Sequence, residues 1–230
     1  MGEWVQVQGP DGAFKAYVAR PAGTPKAGVV VLQEIFGVNK VVRGKADWLA
    51  REGFLAMAPD LFWRIEPGVD ITDQSEAEWA KAMDLMDKYV KLGVGTKDIA
   101  ATIAATRAMG VSKVGAVGYC LGGLLAYRTA CTTDVDASVG YYGVNIPAFL
   151  DEAKNIKKPL MLHIAGKDGF VKKDAQDAMH AGLDANPLAT LCDYPERDHA
   201  FTREGGANYD AADAKIADER TVAFFNKHLG

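Results

Sequence analysis

The run AGVVVLQ, Ala27 to Gln33, is an uninterrupted series of apolar and mostly β-branched residues. A strand with one face in water alternates apolar and polar residues, so a continuous run is typical of a strand buried on both faces. Such strands occur in parallel sheets that helices cover on both sides. This segment therefore restricts the chain to a layered α/β architecture.

The rest of the chain alternates between strand and helix patterns. WVQVQ and FKAYVAR flank the turn GPDG and predict an antiparallel hairpin at the start of the chain. Apolar spacing predicts further strands at 53–60, 113–119, 136–143, 158–168 and 188–196, and helices at 39–51, 75–93, 96–110, 173–185 and 208–230. This order predicts a mostly parallel sheet with helices on both faces, in a single domain over residues 1–230.

Composition excludes several classes of function. The net charge is −4, without the basic excess of a nucleic-acid-binding protein. No apolar run approaches the roughly 20 residues of a membrane span, and MGEWVQVQGPDG does not resemble a secretory signal. We expect a cytoplasmic monomer with no nucleic-acid or membrane partner.

The chain has three cysteines, Cys120, Cys131 and Cys192. An odd number without a secretory signal argues against a disulfide framework. No Cys-x-x-Cys pair and no pair of histidines at metal-ligand spacing occurs, so we expect no zinc or other metal. Cys131 and Cys192 are most simply small buried apolar residues.

The segment GYCLGG, Gly118 to Gly123, lies between a predicted strand and a predicted helix. Its spacing is that of a nucleophile elbow, in which a tight strand-to-helix turn requires small neighbours. The turn would present Cys120 at a helix N-terminus, where backbone N–H groups favour negative charge. The alternative at this point is a buried cysteine in a glycine-rich turn.

Candidate partners for Cys120 follow in the order nucleophile, acid, histidine. Asp168 ends a predicted strand, and His199 lies in the loop before the last helix, as an orienting carboxylate and a base require. Asp198 is the fallback acid. His163 lies inside an apolar strand and is expected to be a core residue, whereas the two histidines on predicted helices, His180 and His228, are expected to be solvated.

An acyl-transfer site also needs donors for the developing oxyanion. The backbone N–H of Leu121, directly after the nucleophile, is one candidate, and the N–H of Ile35, after the strand VVVLQ, is the second. Glu34 ends the same strand and is expected to point toward the elbow. Its alternative role is a loop salt bridge.

Together these motifs resemble the dienelactone hydrolase, or carboxymethylenebutenolidase, family over nearly the whole chain. The segments that carry the resemblance are QEIFGVN (33–39), GFLAMAPDLF (53–62), VGYCLGG (117–123), GYYG (140–143), GKDGFV (166–171) and DHAFTR (198–203). The resemblance implies an α/β-hydrolase fold without a cofactor, which hydrolyses a lactone that is a cyclic enol ester. It implies Cys120 as nucleophile, His199 as base and Asp168 as the acid that orients the base. It further implies that Glu34 contacts the resting cysteine and helps to form the thiolate only when substrate displaces it.

The resemblance also implies how a substrate carboxylate is bound. Arg203 matches one of two family arginines and can bind a carboxylate bidentately, but Glu78 stands where the second is expected. Lys81, one turn away, and Arg64 are candidates to compensate. The aromatic residues Phe36, Tyr142 and Phe170 are candidates to line the pocket. The expected partner is a small lactone or ester, and a broader esterase or a silent binding protein of the same fold are the alternatives.

Overall fold

The computed structural model describes residues 2–230, and within them two compact units are distinguished. One unit ends at Val114 and the other runs from Gly115 to Gly230. Each contains four strands and three α-helices. The expectation of a single domain stays a prediction.

The first unit begins with the predicted hairpin. Its strands β1 (Glu3–Gly9) and β2 (Gly12–Ala19) pair antiparallel from Glu3 opposite Val18 to Gly9 opposite Gly12. β2 also pairs antiparallel with β4 (Leu55–Pro59), and β4 pairs in parallel with β3 (Gly28–Leu32). All residues of β3 and β4 are buried, as the continuous apolar runs predict.

The helices of the first unit begin and end at residues of the expected kinds. They are α1 (Lys40–Arg51), α2 (Glu76–Leu92) and α3 (Lys97–Ala108). Asn39 caps α1 by accepting from Val41 N and Val42 N, both at 3.1 Å. After α2, Gly93 adopts a left-handed conformation with φ 61°, which suits a glycine at the end of a helix.

The second unit holds parallel strands in the order β5-β6-β7-β8. The strands are β5 (Val114–Tyr119), β6 (Ala137–Tyr141), β7 (Leu160–Ala165) and β8 (Ala189–Tyr194). The helices are α4 (Leu121–Thr132), α5 (Lys173–Leu183) and α6 (Ala211–Leu229), and a 3₁₀ segment spans Ile146–Asn155. The alternation of strand and helix is thus confirmed. The sequence prediction missed the 3₁₀ segment because it is broken at Phe149 and shows no long periodicity.

The core of the second unit surrounds α4, whose residues are nearly all buried. The apolar stretch LLAYRTA after the elbow is therefore a buried helix. Cys131 on α4 is buried as expected, but Cys192 on β8 is only half-buried, so that expectation was wrong. β8 is the last strand of this unit's order and exposes part of its surface. Across residues 2–230, helices with the length and apolar character of a membrane span are lacking.

Candidate active site

The turn between β5 and α4 has the geometry of a nucleophile elbow. Cys120 takes φ 56° and ψ −113°, a conformation rare for any residue with a side chain. A Cβ on Gly118 would lie 1.9 Å from Gly122 O, and one on Gly123 would lie 2.5 Å from Tyr141 O. Side chains at these positions are excluded by backbone, so the prediction that the elbow needs a small residue is confirmed at Gly118.

The elbow places Cys120 at the start of α4. The Cys120 carbonyl accepts from Gly123 N at 2.9 Å and Leu124 N at 3.2 Å, and its own N–H donates to Tyr141 O at 3.1 Å. Leu121 is the first residue of the helix, a position whose N–H has no partner within the helix itself. That location is compatible with the predicted oxyanion donor, which stays a prediction.

Asp168 and His199 meet although 31 positions separate them in the chain. His199 Nδ1 lies 2.8 Å from Asp168 Oδ2, and both side chains are almost fully buried. The other carboxylate oxygen, Oδ1, accepts from Phe170 N at 2.8 Å and Val171 N at 3.1 Å. The backbone thus fixes the carboxylate so that one oxygen faces the imidazole.

The protonation of His199 depends on both of its partners. Burial alone would lower the pKa of His199, but hydrogen bonds to Asp168 and Cys120, with the charges of those groups, raise it to about 10. Because Asp168 occupies Nδ1, the hydrogen bond to Cys120 involves Nε2. A sulfur, an imidazole and a carboxylate that are far apart in sequence therefore form one connected set, which can move a proton from the thiol to the ring.

The alternative acid has another role. Asp198 Oδ1 accepts from His199 N at 2.6 Å and Gly169 N at 3.1 Å. It joins the loops after β7 and β8 through their backbones, while the imidazole pairs with Asp168.

His163 is a core residue, as predicted. It is 1 % exposed, with Nδ1 2.9 Å from Tyr194 Oη and Nε2 3.0 Å from Thr221 Oγ1. Burial, aided by Arg220, lowers the pKa of His163 to about 3, so this ring is neutral.

The two histidines predicted on helices lie on α5 and α6. His180 pairs with Asp184 and Asp193 at the surface, and His228 contacts the ring of Phe224. Neither arrangement involves the triad residues.

Two amide side chains, the buried Gln176 and the exposed Asn208, hold the loops of the site, and the sequence prediction missed both. Gln176 Nε2 donates to the carbonyls of Ala165, Gly166 and Val171 at 3.2, 3.3 and 2.7 Å, and thereby holds the loop that carries Asp168. Asn208 Nδ2 donates to His199 O at 2.9 Å. For Gln176, the only sequence signal is that the helix periodicity of α5 places this polar residue on the side of the helix that faces inward.

The predicted pocket residues of the second unit lie near His199. The ring of Tyr142 is 5.1 Å and that of Phe170 4.9 Å from the imidazole, both edge to face. Phe170 is 61 % exposed, whereas Tyr142 is 2 % exposed. Arg203 is buried, and its N–H donates to Ala200 O at 2.9 Å. Substrate binding by Tyr142 and Arg203 stays a prediction.

The predicted residues of the first unit follow β3 directly. Glu34, Ile35 and Phe36 are all buried, and the ring of Phe36 packs edge to face on Trp79 at 5.2 Å. Gln33 steadies this segment, because its Oε1 accepts from Leu61 N at 3.0 Å. The roles expected for Glu34, Ile35 and Phe36 beside the elbow stay predictions.

Glu78, in place of the expected arginine, has a structural role. Its carboxylate accepts from Thr72 N at 3.0 Å and Thr72 Oγ1 at 2.8 Å, while Ser75 Oγ accepts from Glu78 N at 3.3 Å. Hydrogen bonds from Thr72 lower the pKa of Glu78. The sequence signal was available, since Ser-x-x-Glu has the spacing of a capping box, of which the bond from Glu78 N to Ser75 Oγ is formed.

The two cations considered as substitutes are engaged elsewhere. Lys81 Nζ lies 2.6 Å from Glu66 Oε1 at the surface. Arg64 is paired with Asp98 and with Asp11, and its guanidinium stacks on the ring of Trp63 at 4.3 Å. Lys81 as a substrate-binding residue stays a prediction.

Within residues 2–230, clusters of three or more His, Cys, Asp or Glu side chains suited to a metal ion are not found.

Comparison with known proteins points to one family. The family model for the dienelactone hydrolase family matches residues 14–229. A protein of Azospirillum brasilense is 46% identical over 225 residues, covering 96% of both chains. The carboxymethylenebutenolidase of Pseudomonas putida is 38% identical over 224 residues, covering 96% of this chain and 95% of its own.

A solved structure extends the match to three dimensions. A crystal structure from Klebsiella pneumoniae has a TM-score of 0.85 at 27% identity, covering 99% of this chain and 98% of its own. With the strand and helix order, this match confirms the predicted α/β-hydrolase fold.

Proposed function

Because the chain belongs to the dienelactone hydrolase family, we propose that it hydrolyses a lactone through Cys120, His199 and Asp168. Membership makes it a carboxylic ester hydrolase, and the proposal concerns the mechanism and the substrate. The observation that carries it is the buried imidazole of His199, bonded to Asp168 at 2.8 Å and to the elbow cysteine on its other side.

In the first half of the reaction the Cys120 sulfur attacks the lactone carbonyl carbon. His199 Nε2 holds the proton of the Cys120 thiol, because the pKa of the ring is raised to about 10, while Asp168 holds Nδ1 and stabilises the positive charge of the ring. The ring C–O bond then breaks, and the former ring oxygen leaves as an enolate that takes the proton from His199 Nε2, which leaves the imidazole neutral. The result is an acyl thioester that keeps the leaving group within the same molecule.

In the second half a water molecule attacks the thioester. His199 Nε2 accepts a proton from the water, and the sulfur leaves and recovers its proton from the imidazolium. The product is an open-chain carboxylic acid with an enol, and the enzyme returns to its starting state.

The leaving group explains why a thiol suits this site. An enolate is a good leaving group, so the tetrahedral intermediate can expel it without strong protonation. An alkoxide or an amine is a poorer leaving group than the thiolate, so the tetrahedral intermediate would expel the sulfur instead. Cyclic enol esters are therefore expected to react much faster than alkyl esters and amides.

A broader esterase or lactonase is the second candidate. The Glu78 carboxylate is bonded to Thr72, Lys81 pairs with Glu66 and Arg64 pairs with Asp98. These contacts favour a substrate that does not need the second cation expected beside Arg203. A panel of charged lactones, neutral lactones and aryl esters separates the two candidates. Equal rates for aryl esters and lactones would favour the esterase.

The proposal is tested by comparing two cysteine variants. Cys120→Ala should abolish turnover without altering the thermal unfolding midpoint greatly, and Cys192→Ala should retain turnover. Burial raises the pKa of Cys131 to about 11 and also raises that of Cys192. Iodoacetamide at neutral pH should therefore modify Cys120 first, and mass spectrometry identifies the site. Normal turnover by Cys120→Ala would end the proposal.

A further inference from the structure

We infer that Tyr142 positions the imidazole of His199 and does not bind substrate. Its hydrogen bond to Thr202 holds the Tyr142 ring against that imidazole. The inference rests on the proposed function, since it concerns the base of the same reaction.

The backbone of Tyr142 is held in an unfavourable conformation. It directly follows β6 with φ 38°, a region that residues with side chains rarely adopt. Its N–H donates to His163 O at 2.8 Å, and a Cβ on the next residue, Gly143, would lie 2.8 Å from the Gly123 carbonyl carbon. Strain of this kind persists where the surroundings fix the chain, and it concentrates at functional sites. The turn therefore fixes the position from which the Tyr142 side chain leaves the backbone.

The Tyr142 side chain is directed at the loop that carries the base. Its hydroxyl lies 2.9 Å from Thr202 Oγ1, and its ring packs on His199 at 5.1 Å and on Phe201 at 5.8 Å. Tyr142 is 2 % and Thr202 1 % exposed. A substrate that approached from solvent would meet the exposed Phe170 before it met Tyr142.

The loop around His199 is strained as well. Ala200 has φ 63°, and its carbonyl accepts from Arg203 N at 2.9 Å. Three residues with positive φ, Cys120, Tyr142 and Ala200, thus contact or adjoin the imidazole. The hydroxyl pair links the turn after β6 to this loop, across 60 positions of sequence.

The Tyr142 ring has space beside it, so its hydrogen bond to Thr202 is needed to hold it in place. Tyr142 lines a small apolar cavity together with Gly140, Ile146 and Asp168. The cavity has room for about one water molecule, so a ring freed from Thr202 can shift slightly toward it and support the imidazole of His199 less closely. Misplacement of a catalytic group by about 1 Å can lower the rate by roughly 100-fold.

The experiment compares Tyr142→Phe, Thr202→Val and the double variant with the parent enzyme. Each single variant should lower kcat by roughly 10- to 100-fold with little change in KM. The double variant should be no slower than the slower single variant, because both changes break the same contact. Thr202→Ser, which keeps the hydroxyl, should recover most of kcat. Tyr127→Phe, which removes a buried hydroxyl bonded to Phe149 O at 3.0 Å, is the control for a general loss of stability.

NMR of the His199 ring gives a second readout that does not need substrate. Loss of the hydroxyl pair should lower the pKa of His199, since its hydrogen bonds to Asp168 and Cys120 become less well formed, whereas Tyr127→Phe should not. If Tyr142→Phe does not fold, the same titration of Thr202→Val decides whether the hydroxyl pair positions the His199 ring.

Three outcomes overturn the inference: a rise in KM with unchanged kcat, independent losses that multiply in the double variant, or an unchanged His199 titration in both single variants. If Cys120→Ala keeps its activity, the proposed function fails instead, and the titration still reports on the hydroxyl pair.

Discussion

Replacing Asp168 by Asn removes one negative charge from a buried contact and keeps the shape of the side chain. Asp168 Oδ2 lies 2.8 Å from His199 Nδ1, where it stabilises the protonated ring. Without that charge the imidazolium loses a partner, so the pKa of His199 must fall. The variant therefore tests whether this carboxylate is the acid of the triad.

The size of the fall follows from the geometry. Charge centres about 4 Å apart attract by about 4 kcal/mol at an effective dielectric constant of about 20. One pKa unit corresponds to about 1.4 kcal/mol, which gives a fall of up to about 3 units. His199 should then titrate near roughly 7 instead of about 10. Turnover should fall by roughly 10³- to 10⁴-fold, because the amide also fails to select the tautomer that accepts the thiol proton.

NMR of enzyme with isotope-labelled histidine measures this directly. The chain has four histidines, so the spectrum is simple, and a His199→Asn variant identifies the resonance. His163, whose pKa burial lowers to about 3, should stay neutral throughout and serve as an internal reference.

Asp198→Asn is the matched control, since Asp198 adjoins His199 but bonds the backbone N–H groups of His199 and Gly169. It should lower the pKa of His199 less than Asp168→Asn does. If the control lowers it more, or if Asp168→Asn leaves it near 10, the assignment of the acid is wrong.

Two further substitutions test the scaffold of the site. Gly118→Ala places a Cβ 1.9 Å from Gly122 O, and urea denaturation should show that the free energy of unfolding falls by more than about 3 kcal/mol. The control is Gly44→Ala on α1, where a Cβ meets nothing within 4 Å. It should leave the free energy of unfolding equal or raise it by about 0.5–1 kcal/mol. Equal behaviour of the two variants would contradict the steric reasoning. Gln176→Leu leaves buried carbonyls without a donor and should lower the free energy of unfolding by about 1–3 kcal/mol. It should also lower kcat, because the loop of Asp168 loosens, and an unchanged kcat in folded protein would show that the loop needs no such support.

Much of the fold could be predicted because the evidence for it is local. The continuous apolar run became the fully buried strand β3, and Gly118 of the elbow is required by a backbone contact with Gly122, a few residues away. The chain order of Cys120, Asp168 and His199 was also informative, since parallel strands end at one edge of a sheet.

The start of α2 carries a local sequence signal for its N-terminus. Ser75-x-x-Glu78 has the spacing of a capping box, and Ser75 caps α2 while the Glu78 carboxylate accepts from the hydroxyls of Thr72 and Ser75. The half-buried state of Cys192, by contrast, depends on the place of β8 at the end of its unit's strand order, which composition does not reveal.

By itself the sequence determined the class of fold, the elbow and the three residue types that chemistry requires there, since periodicity and chain order record them. The tertiary structure decided which of two acids pairs with His199. Asp198 is adjacent in sequence, but its oxygen is used by backbone N–H groups, and Asp168 reaches the ring. It also decided that Tyr142 bonds Thr202, because contacts between side chains 60 positions apart depend on packing, which no local pattern records.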